Sequence, residues 1–309
     1  MTAEPLSAFL QTTRVQVDEA LERCLPKPPS CPALVAEAMR YSVFAGGKRL
    51  RPALALAAAD AVAGPGPAVQ LALPAACAIE LIHTYSLIHD DLPAMDDDTL
   101  RRGRPTLHVV YGEGIAILAG DGLHAEAFSL LARAPDTTDA AIAGRKLRVI
   151  HVVADAAGPL GMVGGQAIDL QAAGQAPGHA LTLDAEALRA MHGRKTGALI
   201  RAAAVSGAIM AGATDEMVEA IDRYATNVGL AFQIVDDILD VEGSAGELGK
   251  TAGKDAARAK PTYPSLFGLD RSRAMAADCA VRARSTLESA GLTDIWLDDI
   301  ADWVIARKN

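Results

Sequence analysis

Five aspartates fall within nine residues in the stretch Ile88-His89-Asp90-Asp91-Leu92-Pro93-Ala94-Met95-Asp96-Asp97-Asp98. A second acidic cluster, Asp236-Asp237-Ile238-Leu239-Asp240, lies far along the chain. Each follows a long apolar run. Like charges this close repel, and desolvating them is costly unless a cation sits between them. Hard divalent cations held by oxygen ligands fit that need. Asp236 and Asp240 are four residues apart, so on a helix they share a face and can grip one ion. Asp237 points about 100° away and is the weaker ligand. In the first cluster Pro93 removes a helical hydrogen bond, so Asp90 and Asp96 converge only if the chain bends there.

Basic residues supply the complementary chemistry. Gly46-Gly47-Lys48-Arg49-Leu50-Arg51-Pro52 places three cations at a helix start, where free N–H groups also favour anions. Lys48 and Arg51 are three apart and can share a face. Arg101 and Arg102 are adjacent; on a helix they would point about 100° apart and could serve two different anions. Lys250, Lys254 and Lys260 follow the second acidic cluster in a glycine-rich segment and read as a lid over phosphate. Acidic clusters facing basic segments fit a magnesium-bridged diphosphate.

These residues need a scaffold, and the pattern predicts helices throughout. Apolar spacing marks helices at about 6–24 and 33–44, the second stopped by Gly46-Gly47. Further helices are expected at about 52–62, 69–91, 113–133, 137–157, 184–211 and 215–241, with three shorter ones closing the chain. The helix at 69–91 is expected to be the longest and to lie at the centre, because a helix apolar all round needs neighbours on every side. Residues 92–111 read as a polar connection. No strand alternation and no repeat of fixed period is seen. The expectation is an all-α fold, one domain over residues 1–309.

The bulk composition agrees. Half of the 309 residues are hydrophobic but only 4% are aromatic, which favours close-packed, alanine-rich helices. A formal net charge of −9 speaks against nucleic-acid and anionic-membrane partners. Cys24, Cys31, Cys77 and Cys279 show no metal-ligand spacing and read as free thiols in a reducing, cytoplasmic setting. No secretion signal is read at the N-terminus, and the apolar runs at 71–88 and 200–213 are not read as membrane spans, so no stable membrane insertion is expected.

Seven segments occur in one order: GGKRLRP (46–52), ELIHTYSLIHDDLPAMDDDTLRRGRPTLH (80–108), LAGDGL (118–123), GMVGGQAIDL (161–170), GRKTGAL (193–199), AFQIVDDILDVEG (231–243) and GKTAGKDAARAKPTYPSL (249–266). On these the chain resembles the trans-isoprenyl diphosphate synthases, and among them the bacterial farnesyl type, from about Tyr41 to Leu269. The resemblance implies an isoprenoid synthase bundle around a central cavity, a homodimer, and isoprenyl diphosphate substrates. It implies that Asp90, Asp96, Asp236 and Asp240 hold three Mg²⁺ ions on an allylic diphosphate. Arg101, Lys195, Lys250 and Lys254 match residues that grip that diphosphate. Lys48, Arg51, His83 and Arg102 match the isopentenyl diphosphate pocket. Lys195, Thr196 and Gln233 match groups beside the ionising carbon.

The implied reaction is transfer of an allylic group to the alkene of isopentenyl diphosphate. Thr196 and Gln233 would offer oxygen dipoles to the cation, and the released diphosphate would take the proton. His89 is read as structural. Tyr85 and Ser86 precede Asp90 by about one helical turn, some 6–8 Å, where a growing chain would meet a floor. In the family, an aromatic residue there with the longer acidic spacer implies a fifteen-carbon stop, hence farnesyl diphosphate. Geranyl and geranylgeranyl diphosphate synthases are the alternatives. A class I terpene cyclase is more distant, because two diphosphate sites are indicated. A non-catalytic relative would have lost Lys195, Thr196, Gln233 or the metal ligands.

Overall fold

The structure is a computed structural model that describes residues 3–242, 261–292 and 295–307. Lys250 and Lys254 lie outside the described residues. In chain order the first helices are α1 (Ala3–Cys24), α2 (Ala33–Val43), α3 (Leu50–Ala63) and α4 (Pro67–Asp90). A hairpin, β1 (Leu100–Arg101) and β2 (Arg104–Pro105), precedes α5 (Leu107–Tyr111), α6 (Glu113–Arg133), α7 (Ala140–Ala157) and α8 (Met162–Ala172). Next come α9 (Ala185–His192), a π-helical turn (Gly193–Gly197), α10 (Ala198–Ala211) and α11 (Asp215–Glu242). The chain closes with α12 (Tyr263–Phe267), α13 (Leu269–Ser289) and α14 (Ile295–Ala306).

The all-α expectation holds, with differences of physical interest. The helix expected at 184–211 is interrupted by the π turn, one residue wider than an α turn. At 28 residues α11 exceeds the 24 of α4, so α4 is not the longest helix. The polar connection contains the two-residue ladder pairing Leu100 with Pro105 and Arg101 with Arg104. Arg102 and Gly103 form its turn with φ of 53° and 73°, the left-handed geometry that matches strand twist. A strand this short has no alternation to read. Of the three closing helices, α13 has 21 residues and is not short.

Helix α4 lies at the centre as expected. It is buried from Ala72 to Ile88 against α3, α6 and α10. Small side chains set the spacing: a Cβ on Gly207 of α10 would lie 1.9 Å from the Ala55 carbonyl oxygen of α3. Only glycine permits that approach. Phe9 stacks on Trp296 at 4.7 Å and ties α1 to α14.

By length and composition, α4, α6 and the 140–172 stretch could each cross a membrane. Two thirds of the α4 window is buried inside the bundle, which accounts for its apolar run. In α6 and the 140–172 stretch the buried share is 39% and 33%, which leaves apolar surface facing outward.

Candidate active site

The first acidic cluster is built by the failure of α4 to continue. Pro93 has no N–H, and the chain turns back so that the Asp96 N–H donates to the Asp90 carbonyl at 2.8 Å. The Asp98 N–H likewise donates to the Asp91 carbonyl at 3.1 Å. This bend brings Asp96 beside Asp90. Burial, opposed by Lys195 and reinforced by Asp96, pushes the Asp90 carboxyl up to about 6. Asp91 has a different task. It accepts from Arg101 Nε at 2.8 Å and from Arg101 Nη2 at 2.6 Å. Burial pulls the Arg101 guanidinium pKa down, but Asp91 outweighs it and holds the group above its usual value.

The two adjacent arginines are separated by hairpin geometry, not by a helical turn. Arg101 reaches Asp91, while Arg102 at the turn donates to the Gly46 carbonyl. Gly47 is favoured there by its backbone, whose φ of 129° is one that L side chains rarely adopt.

The basic helix start also divides its labour. Arg49 is consumed by structure. Its backbone is left-handed (φ 51°), and its guanidinium bonds Glu80 at 2.8 Å, Asp18 at 2.9 Å and the Val43 carbonyl at 2.7 Å. Lys48 precedes α3, so it shares no helical face with Arg51. Its ammonium lies 5.2 Å from the centre of the Trp303 ring. Burial and Arg307 lower the Lys48 pKa, opposed by Asp236. Arg51 points inward. Burial pushes its guanidinium down to about 10, and its Nε has no hydrogen-bond partner among the described residues. His83 beside it is held well below its usual pKa by burial and then by Arg51 and Arg102, so it is neutral at pH 7.

Lys195 and Thr196 sit on the π turn. A Cβ on Gly165 would lie 2.2 Å from the Lys195 backbone nitrogen, so a glycine lets α8 pack directly on this turn. Lys195 Nζ donates to Asp169 at 2.5 Å. Burial lowers its pKa, but Asp169 and Asp90 outweigh it and keep the ammonium charged.

A cavity of about 370 Å³ joins these groups. Arg51 and His83 line it, as do Asp90, Lys195 and Thr196. Tyr85, Ser86 and His89 line it further along α4, with apolar walls that include Met95, Met162 and Leu199. Tyr85 is 6% exposed and stacks on His124 at 4.6 Å, with His89 edge-on at 5.6 Å. Burial and Asp90 push its phenol up to about 12, so it stays protonated. The Ser86 hydroxyl donates back to the His83 carbonyl at 2.8 Å. His89 Nε2 lies 3.2 Å from the Ile117 carbonyl.

Gln233, Asp236 and Asp240, on α11, do not line this cavity. Gln233 Nε2 donates to Asp237 at 3.1 Å, which leaves its carbonyl oxygen for a cation. Asp237 also accepts the Tyr263 N–H at 2.9 Å and so anchors the start of α12. This is the structural use expected of the carboxylate that points away. Asp236 lies 3.4 Å from Arg307 Nη2, and Arg307 stacks 3.8 Å from the centre of the Phe232 ring.

From sequence Asp91 reads only as a supporting or solvated charge, and Asp169, Gln166 and Arg307 carry no reading at all. Both amide heavy atoms of Gln166 are buried beside the cavity without a partner among the described residues. Its position inside the GMVGGQAIDL segment was the available signal. Lys195 and Asp169 are 26 residues apart, and nothing in local spacing pairs them.

Among the described residues no three metal-binding side chains converge on one point. The donor set nonetheless fits magnesium, which takes one or two carboxylates and completes its shell with phosphate and water. Asp90 beside Asp96 is such a pair; burial, and after it Asp96, disfavours the ionised Asp90 carboxyl, a cost that a bound dication would offset.

The fold and site define an all-helical protein in which acidic clusters stand beside buried cations, a setting suited to anionic substrates. Residues 32–289 match the polyprenyl synthetase family. A farnesyl diphosphate synthase of Geobacillus stearothermophilus is 44% identical over 97% of both chains. A geranylgeranyl diphosphate synthase of Cyanophora paradoxa is 43% identical over 98% of this chain and 97% of its own. The structure of a Helicobacter pylori geranyltransferase, complexed with magnesium and isoprenyl diphosphate, superposes with a TM-score of 0.82 at 30% identity, covering 99% of this chain and 98% of that one. The chain belongs to the polyprenyl synthetase family and is a prenyltransferase of the trans-isoprenyl diphosphate synthase type. Magnesium dependence is general in this family, and isoprenyl diphosphates are its substrates.

Proposed function

We propose that the protein makes farnesyl diphosphate, extending dimethylallyl and then geranyl diphosphate with isopentenyl diphosphate. The observation that carries this reading is the cavity that leads from Asp90 and Lys195 to the stacked pair Tyr85 and His124. Asp90, Asp96, Asp236 and Asp240 would hold three Mg²⁺ ions, which when bound offset charge on the leaving diphosphate. Lys195 and Arg101 grip the same diphosphate, with Lys250 and Lys254 assigned there by resemblance. Thr196 and the Gln233 carbonyl face the allylic carbon as its C–O bond breaks; their dipoles favour the cation without capturing it. Lys48, Arg51, Arg102 and neutral His83 hold isopentenyl diphosphate. Its alkene then forms the new C–C bond, and a proton leaves to the departed diphosphate.

Tyr85 would end chain growth. Purified protein given isopentenyl diphosphate, Mg²⁺ and either primer should release a fifteen-carbon product, read by chromatography of the dephosphorylated alcohols. A twenty-carbon product would give the geranylgeranyl reading instead, which the Cyanophora relative favours. Tyr85→Ala should shift the main product to twenty carbons or longer; unchanged lengths would return Tyr85 to core packing.

The apolar residues left exposed on α5, α6 and α7 support a homodimer. Val109, Leu118 and Leu147 are 51%, 54% and 69% exposed. Sedimentation should give twice the 32.0 kDa chain mass, and a monomer at micromolar concentration would remove this part of the proposal. A cytoplasmic location is proposed with it, in keeping with four free cysteines, and cell fractionation tests it.

A further inference from the structure

Behind the π turn lie two clefts that share no lining residue with the catalytic cavity. One, of about 310 Å³, is floored by Gly193, Gly197 and Gly229 and walled by Leu160 and Leu230. The other, of about 610 Å³, lies between α11 and α13. They meet at Arg189 and Thr226, which line both.

Their charge is the notable feature. Arg189, Arg194, Arg201, Arg223 and Arg282 line the two clefts, and among the described residues no carboxylate lines either. The whole chain carries nine excess negative charges, so this concentration runs against its composition. Two of the arginines are offset: Arg201 grips Asp222 at 2.7 Å, and Arg223 lies 3.6 Å from Glu219. The other three have no carboxylate partner among the described residues. Arg194 donates to the Leu160 carbonyl at 3.0 Å, and Arg282 donates to Asn227 Oδ1 at 3.2 Å. These bonds orient the guanidinium groups without neutralising them. Unpaired guanidinium groups around a cleft are suited to bidentate binding of phosphate oxygens. The floor admits close approach, because a Cβ on Gly193 would meet nothing within 4 Å.

We propose that this double cleft is a second diphosphate-binding site, an effector site on the reverse side of the turn that carries Lys195 and Thr196. The arginines bind the diphosphate, and Leu160 and Leu230 offer an apolar wall to any attached chain. Two sources share this chemistry: inorganic diphosphate and a prenyl diphosphate. The proposal depends on the synthase reading only for the supply of ligand.

The test uses the full chain in EDTA, where the catalytic aspartates have no metal to bridge them to diphosphate. Inorganic diphosphate and geranyl diphosphate are titrated separately by calorimetry against the unaltered protein and an Arg189→Ala/Arg282→Ala double variant. Both side chains are exposed, so the variant should keep its melting temperature and its basal turnover. The expected result is two metal-independent diphosphate sites, one at the pocket of Lys48, Arg51, Arg102 and His83 and one here; the second is weakened at least tenfold in the variant, and the slowed amide exchange across residues 193–197 that accompanies it is lost there. Tighter binding of geranyl diphosphate would assign the prenyl source, and equal binding the inorganic one. No binding in EDTA, or binding that the variant leaves unchanged, overturns the site. Binding without slowed exchange overturns its effector role. Since the readouts are binding and exchange, failure here leaves the synthase reading standing, and loss of prenyl transfer would leave this site to be judged separately.

Discussion

Replacing Asp90 with alanine is expected to lower kcat by on the order of 10³-fold, the scale at which one preorganised electrostatic group acts. Asp90 lines the cavity, lies beside Asp96 and is coupled electrically to Lys195. On the proposed reading its loss removes one anchor for the metal. It also shifts the balance on Lys195 toward Asp169, away from the diphosphate that the proposed reading gives it. The Mg²⁺ concentration for half-maximal rate should rise as well, which steady-state assays across a magnesium series would record. Asp90→Asn separates this effect from damage to the fold. Burial disfavours the ionised carboxyl, so a neutral amide should hold or raise the melting temperature in EDTA while turnover stays low. A loss below tenfold in both variants would place Asp90 outside the reacting centre.

The second large effect is on stability. Arg49→Ala should cost about 3–5 kcal/mol, the range for removing one partner of a buried ion pair. The Arg49 side chain is 2% exposed and the Glu80 side chain 4% exposed, so truncation leaves a carboxylate enclosed without its counter-charge. Three parts of the chain depend on that guanidinium: α1 through Asp18, α4 through Glu80, and the end of α2 through Val43. Urea unfolding measures the loss. A double variant, Arg49→Met with Glu80→Leu, should recover most of it, because the buried carboxylate goes with its partner, and Asp18, which stays, is 31% exposed and 3.7 Å from Arg14. A cost under 1 kcal/mol for the single variant would show that the pair is dispensable.

The elements that position the site were largely legible, because long amphipathic or wholly apolar runs carry a strong period. The acidic clusters were legible for another reason: their charge density is unfavourable without a ligand. Pro93 even announced the bend that brings Asp96 to Asp90. What stayed hidden depends on partners distant in sequence or on single-residue backbone states. Arg49 looked like a third anion-binding cation. Its left-handed conformation and its bonds to Asp18 and Glu80, each 31 residues away, decide otherwise. Arg101 and Arg102 were placed on a possible helix, whereas a two-residue hairpin aims them at different groups. The π turn left no trace in the pattern, since one added residue barely changes a periodicity read over a long window.

That added residue has a consequence for how the chain tolerates change. In an α-helix Lys195 and Thr196 would project about 100° apart, yet both line the cavity. Beyond them, α10 must still present Gly207 to Ala55. A regular helix of the same length could satisfy one of these demands only by rotating away from the other. Deleting any single residue between 193 and 197 would let the turn close as ordinary α-helix, keeping the packing register of α10 while losing the placement of Lys195 and Thr196 in the cavity, even if every side chain named above were kept.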